Sequence, residues 1–233
     1  MKPKTNIVWL KRDLRLTDHT PLYEATCRDE QFLVLYIFEP SLMNDRHTDE
    51  RHWRFIKQSL SDMEKILAKQ NKQLSIAYGE ADQIFSKIIN RYEITNVFSH
   101  EETGLKLTYE RDKKLKNLFN AKKIRWHEYQ TNAVIRGLNN RKRWEKQWDK
   151  VMREEIKPIN LARANILFHR FPISEIPKFG DDVNHQVGGC LPGQKEMLDF
   201  FETRGQDYFK FISKPDKSRT SCSRLSPYIA YGN

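Results

Sequence analysis

Two kinds of apolar spacing alternate along the first 130 or so residues. Short β-rich runs predict five strands, at 7–10, 32–38, 74–78, 96–99 and 124–129. The second run is apolar at every position, which is typical of a central parallel strand covered on both faces. The stretches between the runs have helical periodicity, so the alternation predicts βαβ units and a parallel sheet.

The helical stretches each show one apolar face. One set of apolar residues is spaced by four, three and four positions: Ile56, Leu60, Met63 and Leu67. On the same helix we expect four charged residues to face water: Lys57, Asp62, Glu64 and Lys65. Ile84, Ile88 and Tyr92 predict a further helix, and 105–119 a mostly charged one. The resulting fold class is α/β, a doubly wound five-stranded parallel sheet of the Rossmann-like kind, with ligands beyond the carboxyl ends of its strands.

After Gln130 the pattern changes. A stretch rich in Asn, Arg, Lys and Trp leads into residues 158–186, which Pro172, Pro177 and Gly180 interrupt. Such a long irregular stretch is uncommon inside a compact domain, so we interpret it as a connector that wraps over a surface. Gly188-Gly189 and Pro192-Gly193 then open a helical pattern. We expect an α/β domain at 1–131, a connector at 132–187 and the beginning of an all-helical domain at 188–233.

Composition narrows the class of protein. The chain has 233 residues, 41 of them basic and 31 acidic, a net charge of +10. Its mean hydropathy is −0.78, and its apolar runs are too short to span a bilayer or to act as a signal peptide. Three scattered cysteines form no disulfide framework and no zinc motif. We expect a monomer in a reducing, cytoplasmic setting without a membrane partner, and the charge favours a polyanion such as nucleic acid.

Common cofactor motifs are absent. The sequence has neither the glycine-rich dinucleotide fingerprint nor a Walker-type phosphate loop. Its histidines lack metal-ligand spacing, and we interpret them as solvated. The loop after the first strand carries Arg12, Asp13 and Arg15 at a strand's carboxyl end. Either the guanidinium groups bind an anionic ligand there, or one of them pairs with Asp13 and holds the loop.

The connector contains a basic segment with two tryptophans at positions i and i+4. Arg141, Arg143 and Trp144 are its candidate nucleic-acid contacts, since indole rings stack on bases while cations meet phosphates. Trp148 is the second aromatic residue. The alternative is that both rings pack the connector helix against its own domain.

The last fourteen residues begin with a cluster of hydroxyls. Thr220, Ser221 and Ser223 precede Ser226, a good helix N-cap, and Pro227, a favoured first helical residue. Free backbone N–H groups and hydroxyls at a helix start favour an anion. An ordinary turn would have the same composition.

Four stretches together resemble one family. The run Val8-Trp9-Leu10-Lys11-Arg12-Asp13-Leu14-Arg15-Leu16 with Asp18 resembles the opening of the DNA photolyase and cryptochrome family. Leu191-Pro192-Gly193 leading to Phe200-Phe201 resembles the entry to its flavin domain, and Tyr208 follows. The run Ser223-Arg224-Leu225-Ser226-Pro227-Tyr228 resembles its flavin-phosphate loop.

The resemblance implies an antenna domain, a connector and a helical domain that binds FAD, in which light-excited reduced flavin passes an electron to a pyrimidine dimer in DNA. It implies six flavin contacts: Tyr208, Thr220, Ser221, Ser223, Leu225 and Ser226. Folate-carrying members have an Asn-Glu pair where this chain has Tyr109-Glu110, so a deazaflavin, a flavin or no antenna chromophore stay open.

The leading interpretation is the amino-terminal portion of a photolyase for cyclobutane pyrimidine dimers. The alternatives are a cryptochrome photosensor and a free-standing α/β nucleic-acid-binding module. The family's lesion-contacting and electron-transfer residues lie beyond the matched region, so no catalytic residue is assigned within 1–233. We therefore expect these residues alone to retain FAD weakly or not at all and to perform no repair.

Overall fold

A computed structural model describes residues 2–172, 176–180 and 184–233. The described strands are β1 (Lys4–Leu10), β2 (Phe32–Phe38), β3 (Ser75–Tyr78), β4 (Glu93–His100), β5 (Arg125–Tyr129) and β6 (Ile166–Leu167). The described α-helices are α1 (Thr20–Thr26), α2 (Pro40–Met43), α3 (Glu50–Ala68), α4 (Ala81–Arg91), α5 (Lys106–Ala121), α6 (Trp144–Met152), α7 (Cys190–Glu202), α8 (Tyr208–Phe211), α9 (Ser218–Ser221) and α10 (Ser226–Tyr231).

The sheet is parallel, in the order β3-β2-β1-β4-β5. The chain builds outward from β1 through β2 to β3, then returns to the other side of β1 for β4 and β5. The strand order therefore reverses between β1 and β4, where doubly wound sheets bind their ligands. The expectation of an α/β fold with five parallel strands is confirmed.

Helices cover both faces of the sheet. Alternate residues of β2 enter the two apolar cores, as the period of a strand requires: Val34 lies in the core under α1 and α3, and Leu35 lies in the core under α4 and α5. The predicted apolar face of α3 is buried at Ile56, Leu60, Met63 and Leu67. Periodicity therefore identified these core positions correctly.

The connector contributes one strand to the sheet. Ile166 and Leu167 pair with Phe32 and Leu33 at the beginning of β2, and β3 pairs only with the second half of that strand. This short β6 was not expected from the sequence because two residues carry no periodicity. Residues 173–175 and 181–183 of the predicted connector lie outside the described part of the chain.

The segment after the connector docks on α3, and this corrects one expectation. Asp62 is buried rather than solvated, because its Oδ2 accepts hydrogen bonds from the backbone N–H groups of Cys190 at 2.9 Å and Leu191 at 3.4 Å. It thus caps α7 from another helix. A Cβ on Gly188 would lie 2.0 Å from the carbonyl oxygen of Phe55, so only glycine permits this approach.

The side chain of Asn233 holds the carboxyl-terminal end of the docked segment in place through hydrogen bonds. Its Nδ2 donates to the carbonyl of Leu14 at 2.8 Å, and its Oδ1 accepts from Ser59 Oγ at 2.8 Å and from Gly189 N at 3.3 Å. The backbone N–H of Leu14 also donates to Tyr231 O at 2.8 Å. The loop after β1, helix α3 and helix α10 are therefore held together at one point.

Candidate functional site

A cleft of about 260 Å³ lies at the carboxyl ends of β1 and β2, at the side of the sheet where the strand order reverses. Aromatic and aliphatic side chains form much of its wall: Trp9, Tyr36, Ile37, Leu42, Trp53 and Ile56. Charged side chains complete the lining: Lys11, Arg12, Glu39, Glu102 and Arg111. An apolar cavity with a few polar groups is the usual form of a small-molecule site.

Arg111 organises the charged side of the cleft. It forms ion pairs with Glu39 at 2.7 Å, Glu102 at 2.8 Å and Asp112 at 2.8 Å. Its guanidinium also lies 4.6 Å from the ring centroid of Trp9. The three carboxylates raise the pKa of Arg111 in spite of its burial, whereas burial raises the pKa of Glu39.

Lys11 adds a second buried cation to the same wall. Its Nζ lies 2.8 Å from Asp112 Oδ2 and 4.6 Å from the ring centroid of Trp9. Burial lowers the pKa of Lys11, and the neighbouring carboxylate of Asp112 opposes that shift. The cleft therefore presents fixed charges beside aromatic faces, an arrangement that suits a flat, polarisable ligand.

A buried cluster of Asp13, His19 and His100 supports the loop after β1. Asp13 Oδ2 lies 2.5 Å from His100 Nδ1 and 2.9 Å from His19 Nε2, and Asp13 Oδ1 accepts from Lys11 N at 2.6 Å. The prediction of solvated histidines is wrong for these two. Nor does Asp13 pair with Arg12 or Arg15, because its buried carboxylate is held by imidazoles.

The proton arrangement of His19 argues against a metal in this cluster. Its Nδ1 accepts a hydrogen bond from Leu22 N at 3.1 Å and caps α1. A neutral imidazole then carries its proton on Nε2, which faces Asp13. Binding a metal through Nε2 would move that proton to Nδ1, against the N–H of Leu22. Burial lowers the pKa of His19. His19 and His100 hold the pKa of Asp13 well below its ordinary range despite the burial of that carboxyl.

The two loop arginines reach other partners. Arg12 lies 3.1 Å from Thr103 Oγ1 and 3.5 Å from Glu102 Oε1. Arg15 donates to Asp18 O at 2.9 Å and lies 3.5 Å from Gly232 O. Arg15 thus joins the loop to the docked helical segment, and Arg12 stays half-exposed beside the cleft.

A second cavity, of about 440 Å³, adjoins the first and shares Arg12, His52 and Tyr231 with it. Arg51 and Ser226 also line it. The shared wall gives the cleft an extension rich in basic side chains that ends at the start of α10. Among the six predicted flavin contacts, Ser226 lines this extension.

The other predicted flavin contacts lie in and around α8 and α9. Thr220 and Ser221 donate their hydroxyls to Lys217 O at 3.1 and 2.8 Å. Ser223 Oγ lies 3.5 Å from Leu225 N, and the ring of Tyr208 packs edge-on against Phe200. Leu225, not Ser226, is the N-cap of α10, and its side chain makes no capping bond. The expectation that Ser226 caps this helix is wrong, because the helix already begins at Ser226, one residue earlier than that role requires.

Arg204 is a functional candidate that the sequence did not reveal. Its guanidinium donates to Cys222 O at 3.0 Å, to Glu196 Oε2 at 2.8 Å and to Asp199 Oδ2 at 2.5 Å. It thereby ties the hydroxyl-rich loop to α7. No local signal marks such a residue, since its partners lie up to 18 positions away along the chain.

The predicted nucleic-acid residues lie together on the connector. Arg141 and Trp144 line a surface groove of about 640 Å³, and Arg143 directly precedes α6. Trp144 and Trp148 are 43% and 42% exposed. Neither indole ring is therefore buried in the core of the domain.

Comparison with known proteins then assigns the family. The DNA photolyase family model matches residues 6–137, more than half of the chain. The chain belongs to the DNA photolyase family. The match begins in β1 and ends after β5, so it covers the buried cluster and every lining residue of the cleft except Tyr231. The resemblance seen in the sequence is confirmed for this photolyase region.

Curated relatives of this photolyase-family chain include cryptochromes. Cryptochrome DASH of Gloeobacter violaceus is 30% identical over 118 residues, 48% of this chain and 24% of that protein. Cryptochrome-2 of Gallus gallus is 27% identical over 92 residues, 40% of this chain and 16% of that protein. The chain therefore spans about a quarter or less of the length of these relatives.

Solved photolyase structures share the fold over nearly the whole chain. A photolyase of Sulfolobus tokodaii, solved with two FAD molecules, aligns with a TM-score of 0.73 at 21% identity, over 98% of this chain and 52% of its own. A class III photolyase of Agrobacterium tumefaciens aligns with a TM-score of 0.73 at 19% identity, over 100% of this chain and 51% of its own. At these identities the likeness is one of fold.

Two further observations concern the helices and the cysteines. Among the residues described, helices long and apolar enough to cross a bilayer are absent. Cys27, Cys190 and Cys222 are all free thiols.

Proposed function

We propose that these residues form the light-harvesting half and the first flavin-binding segment of a photolyase that splits cyclobutane pyrimidine dimers in DNA. The observation that carries the proposal is the aromatic cleft at the reversal of strand order, which continues into a basic cavity ending at the predicted flavin loop. A net charge of +10 supports a DNA substrate.

The cleft fits an aromatic chromophore with an anionic tail. The rings of Trp9, Tyr36 and Trp53 offer faces and edges for a planar group. Arg12 and Arg51, in the adjoining cavity, offer guanidinium groups to phosphate or carboxylate oxygens. The fit favours a flavin or deazaflavin nucleotide over an uncharged pigment.

The hydroxyl-rich loop fits a diphosphate in the chemistry of its donors. The hydroxyls of Ser223 and Ser226 donate to no protein group in the described part of the chain, and the cations Arg219 and Arg224 lie in the same loop. Thr220 and Ser221 would have to release Lys217 O to donate to phosphate. FAD bound here would supply the electron for dimer splitting once reduced and excited, and the loop residues would hold and orient its diphosphate.

Chromophore binding is the first test. Flavin mononucleotide and a deazaflavin are titrated against the purified chain, with quenching of ligand fluorescence as the signal. We expect the Arg12→Ala and Arg51→Ala variants to bind each nucleotide more weakly, and Arg163→Ala, at an exposed residue away from the cleft, to bind like the unaltered chain. Equal binding by all variants would show that the basic cavity does not bind the anionic tail of the nucleotide.

Repair is the second test and separates photolyase from cryptochrome. Ultraviolet-irradiated oligothymidylate is incubated with reduced FAD under blue light, with the 233-residue chain and with the whole protein that contains it. We expect light-dependent loss of thymine dimers with the whole protein only. No loss of dimers, together with a light-driven change in partner binding, would favour the cryptochrome alternative.

A further inference from the structure

An unpartnered apolar strip runs along the connector between β5 and β6. Its members are 37% to 43% exposed: Val134, Ile135, Leu138, Trp144 and Trp148. The first four line one groove of about 640 Å³, and the ring of Trp148 lies 6.4 Å from that of Trp144, tilted by 33°. Helix α6, which carries both indoles, has no buried residue. More than a third of each of these side chains is therefore open to solvent.

Positive charge borders one end of this strip. Residues 136–157 hold eight cations and four carboxylates, a net charge of 8 − 4 = +4. In the described part of the chain, Arg141, Lys142 and Arg143 have no carboxylate within 4.0 Å. By contrast, Arg136 and Arg153 form ion pairs at 3.0 and 2.6 Å. The three free cations directly precede Trp144, so they adjoin the aromatic end of the strip.

Polar groups lie inside the groove as well. The side chains of Asn139, Asn140 and Arg141 line it together with the apolar residues. Amides and guanidinium groups of this kind hydrogen-bond the edges of nucleobases, and indoles stack on their faces. The two ring centroids are 6.4 Å apart, so neighbouring bases of one strand can stack on the exposed parts of the two rings.

We propose that this strip binds single-stranded nucleic acid, and that it does so without flavin, light or lesion. Bases stack on Trp144 and Trp148, while Arg141 and Arg143 meet phosphates. Charge complementarity favours this occupant over a second copy of the chain, which is itself strongly basic. A membrane surface suits the strip less well, because lipid would leave the groove's amides without hydrogen-bond partners.

The test uses the 233-residue chain in the dark, with fluorescein-labelled oligothymidylate of 15 nucleotides as the probe and fluorescence anisotropy as the signal. We expect binding at 50 mM salt that weakens as salt rises. Trp144→Ala and Trp148→Ala should each weaken it about tenfold, the loss expected for one stacked base. The double variant Arg141→Ala/Arg143→Ala should reduce the salt slope by about 1.4, since each phosphate contact contributes about 0.7.

Matched controls lie elsewhere on the surface. Phe209→Ala removes a ring that is 91% exposed, and Arg163→Ala removes an exposed cation; both should bind like the unaltered chain. The circular dichroism of all variants should be unchanged, because every altered side chain is exposed. Quenching of tryptophan fluorescence by the oligonucleotide should disappear in the Trp144→Ala/Trp148→Ala double variant.

Three results would overturn the proposal. The first is no binding of the oligonucleotide at 50 mM salt. The second is equal binding by the tryptophan variants and the controls. The third is a blue shift of tryptophan emission with vesicles containing anionic lipid, or a dimer that Trp144→Ala dissociates, without any binding of the oligonucleotide. Light-dependent repair is measured separately, so its failure would not affect this site.

Discussion

Replacement of Arg111 by methionine gives the sharpest test of the charged wall of the cleft. Only 11% of the Arg111 side chain is exposed, and its carboxylate partners Glu39, Glu102 and Asp112 are 3%, 4% and 9% exposed. Methionine keeps much of the volume and the contact with Trp9 but removes the charge. The variant therefore isolates the electrostatic contribution of one guanidinium.

Removal of the guanidinium affects the three carboxylates unequally, because two of them keep other hydrogen-bond or ion-pair partners. Asp112 keeps Lys11 at 2.8 Å, and Glu102 keeps the backbone N–H groups of Thr103 and Gly104 at 2.9 and 2.6 Å. Glu39 loses its ion pair and is left buried. Removing one partner from a buried ion pair costs about 3–5 kcal/mol. We expect a loss of that size at pH 8.

The loss should shrink in acid. Burial already raises the pKa of Glu39, and removal of Arg111 raises it further. The folded variant then binds a proton at a pH where the unfolded chain does not, so its stability relative to the unaltered chain rises as pH falls from 8 to 5. Urea unfolding followed by circular dichroism at both pH values measures the difference.

An exposed ion pair supplies the control. Lys113 and Glu110 are 2.8 Å apart, with side chains 71% and 47% exposed. Lys113→Met should leave the urea midpoint almost unchanged, because exposed pairs contribute little. If Arg111→Met costs no more than Lys113→Met, or costs the same at pH 8 and pH 5, the assignment of Arg111 as the counter-charge of buried carboxylates is wrong.

Three further predictions concern docking and pH. Gly188→Ala should lower the urea midpoint, because its Cβ would meet a carbonyl oxygen at 2.0 Å, whereas Gly180→Ala, with open space around it, should not. Asn233→Ala removes three hydrogen bonds and should cost about 1–3 kcal/mol; unchanged proteolysis of 190–233 would contradict this. Burial lowers the pKa of His19 below 6.5, so the unfolded chain binds more protons and stability should fall from pH 7 to pH 5. His19→Asn keeps a capping acceptor and should flatten that change; a persisting slope would assign it to another group.

Local pattern determined much of the α/β region. The strand runs and the spacing of Ile56, Leu60, Met63 and Leu67 report which side chains leave water, and each depends only on near neighbours in the chain. Two motifs indicated the family. The residues in and after β1 and those around Ser223 resemble family motifs in type and order. The six predicted flavin contacts come from that resemblance and not from periodicity.

Tertiary structure decided what the polar residues do. Asp62 has a solvent-facing position by periodicity, but it caps a helix that begins 128 residues later. His19 and His100 come from different elements and are buried because Asp13 lies between them. Short polar motifs cannot encode such pairings, since each partner is chosen by the docking of distant segments. The sequence therefore determined the fold and the family. Only the tertiary structure determined which charged side chains are buried, which cap a helix and which have no ion-pair partner.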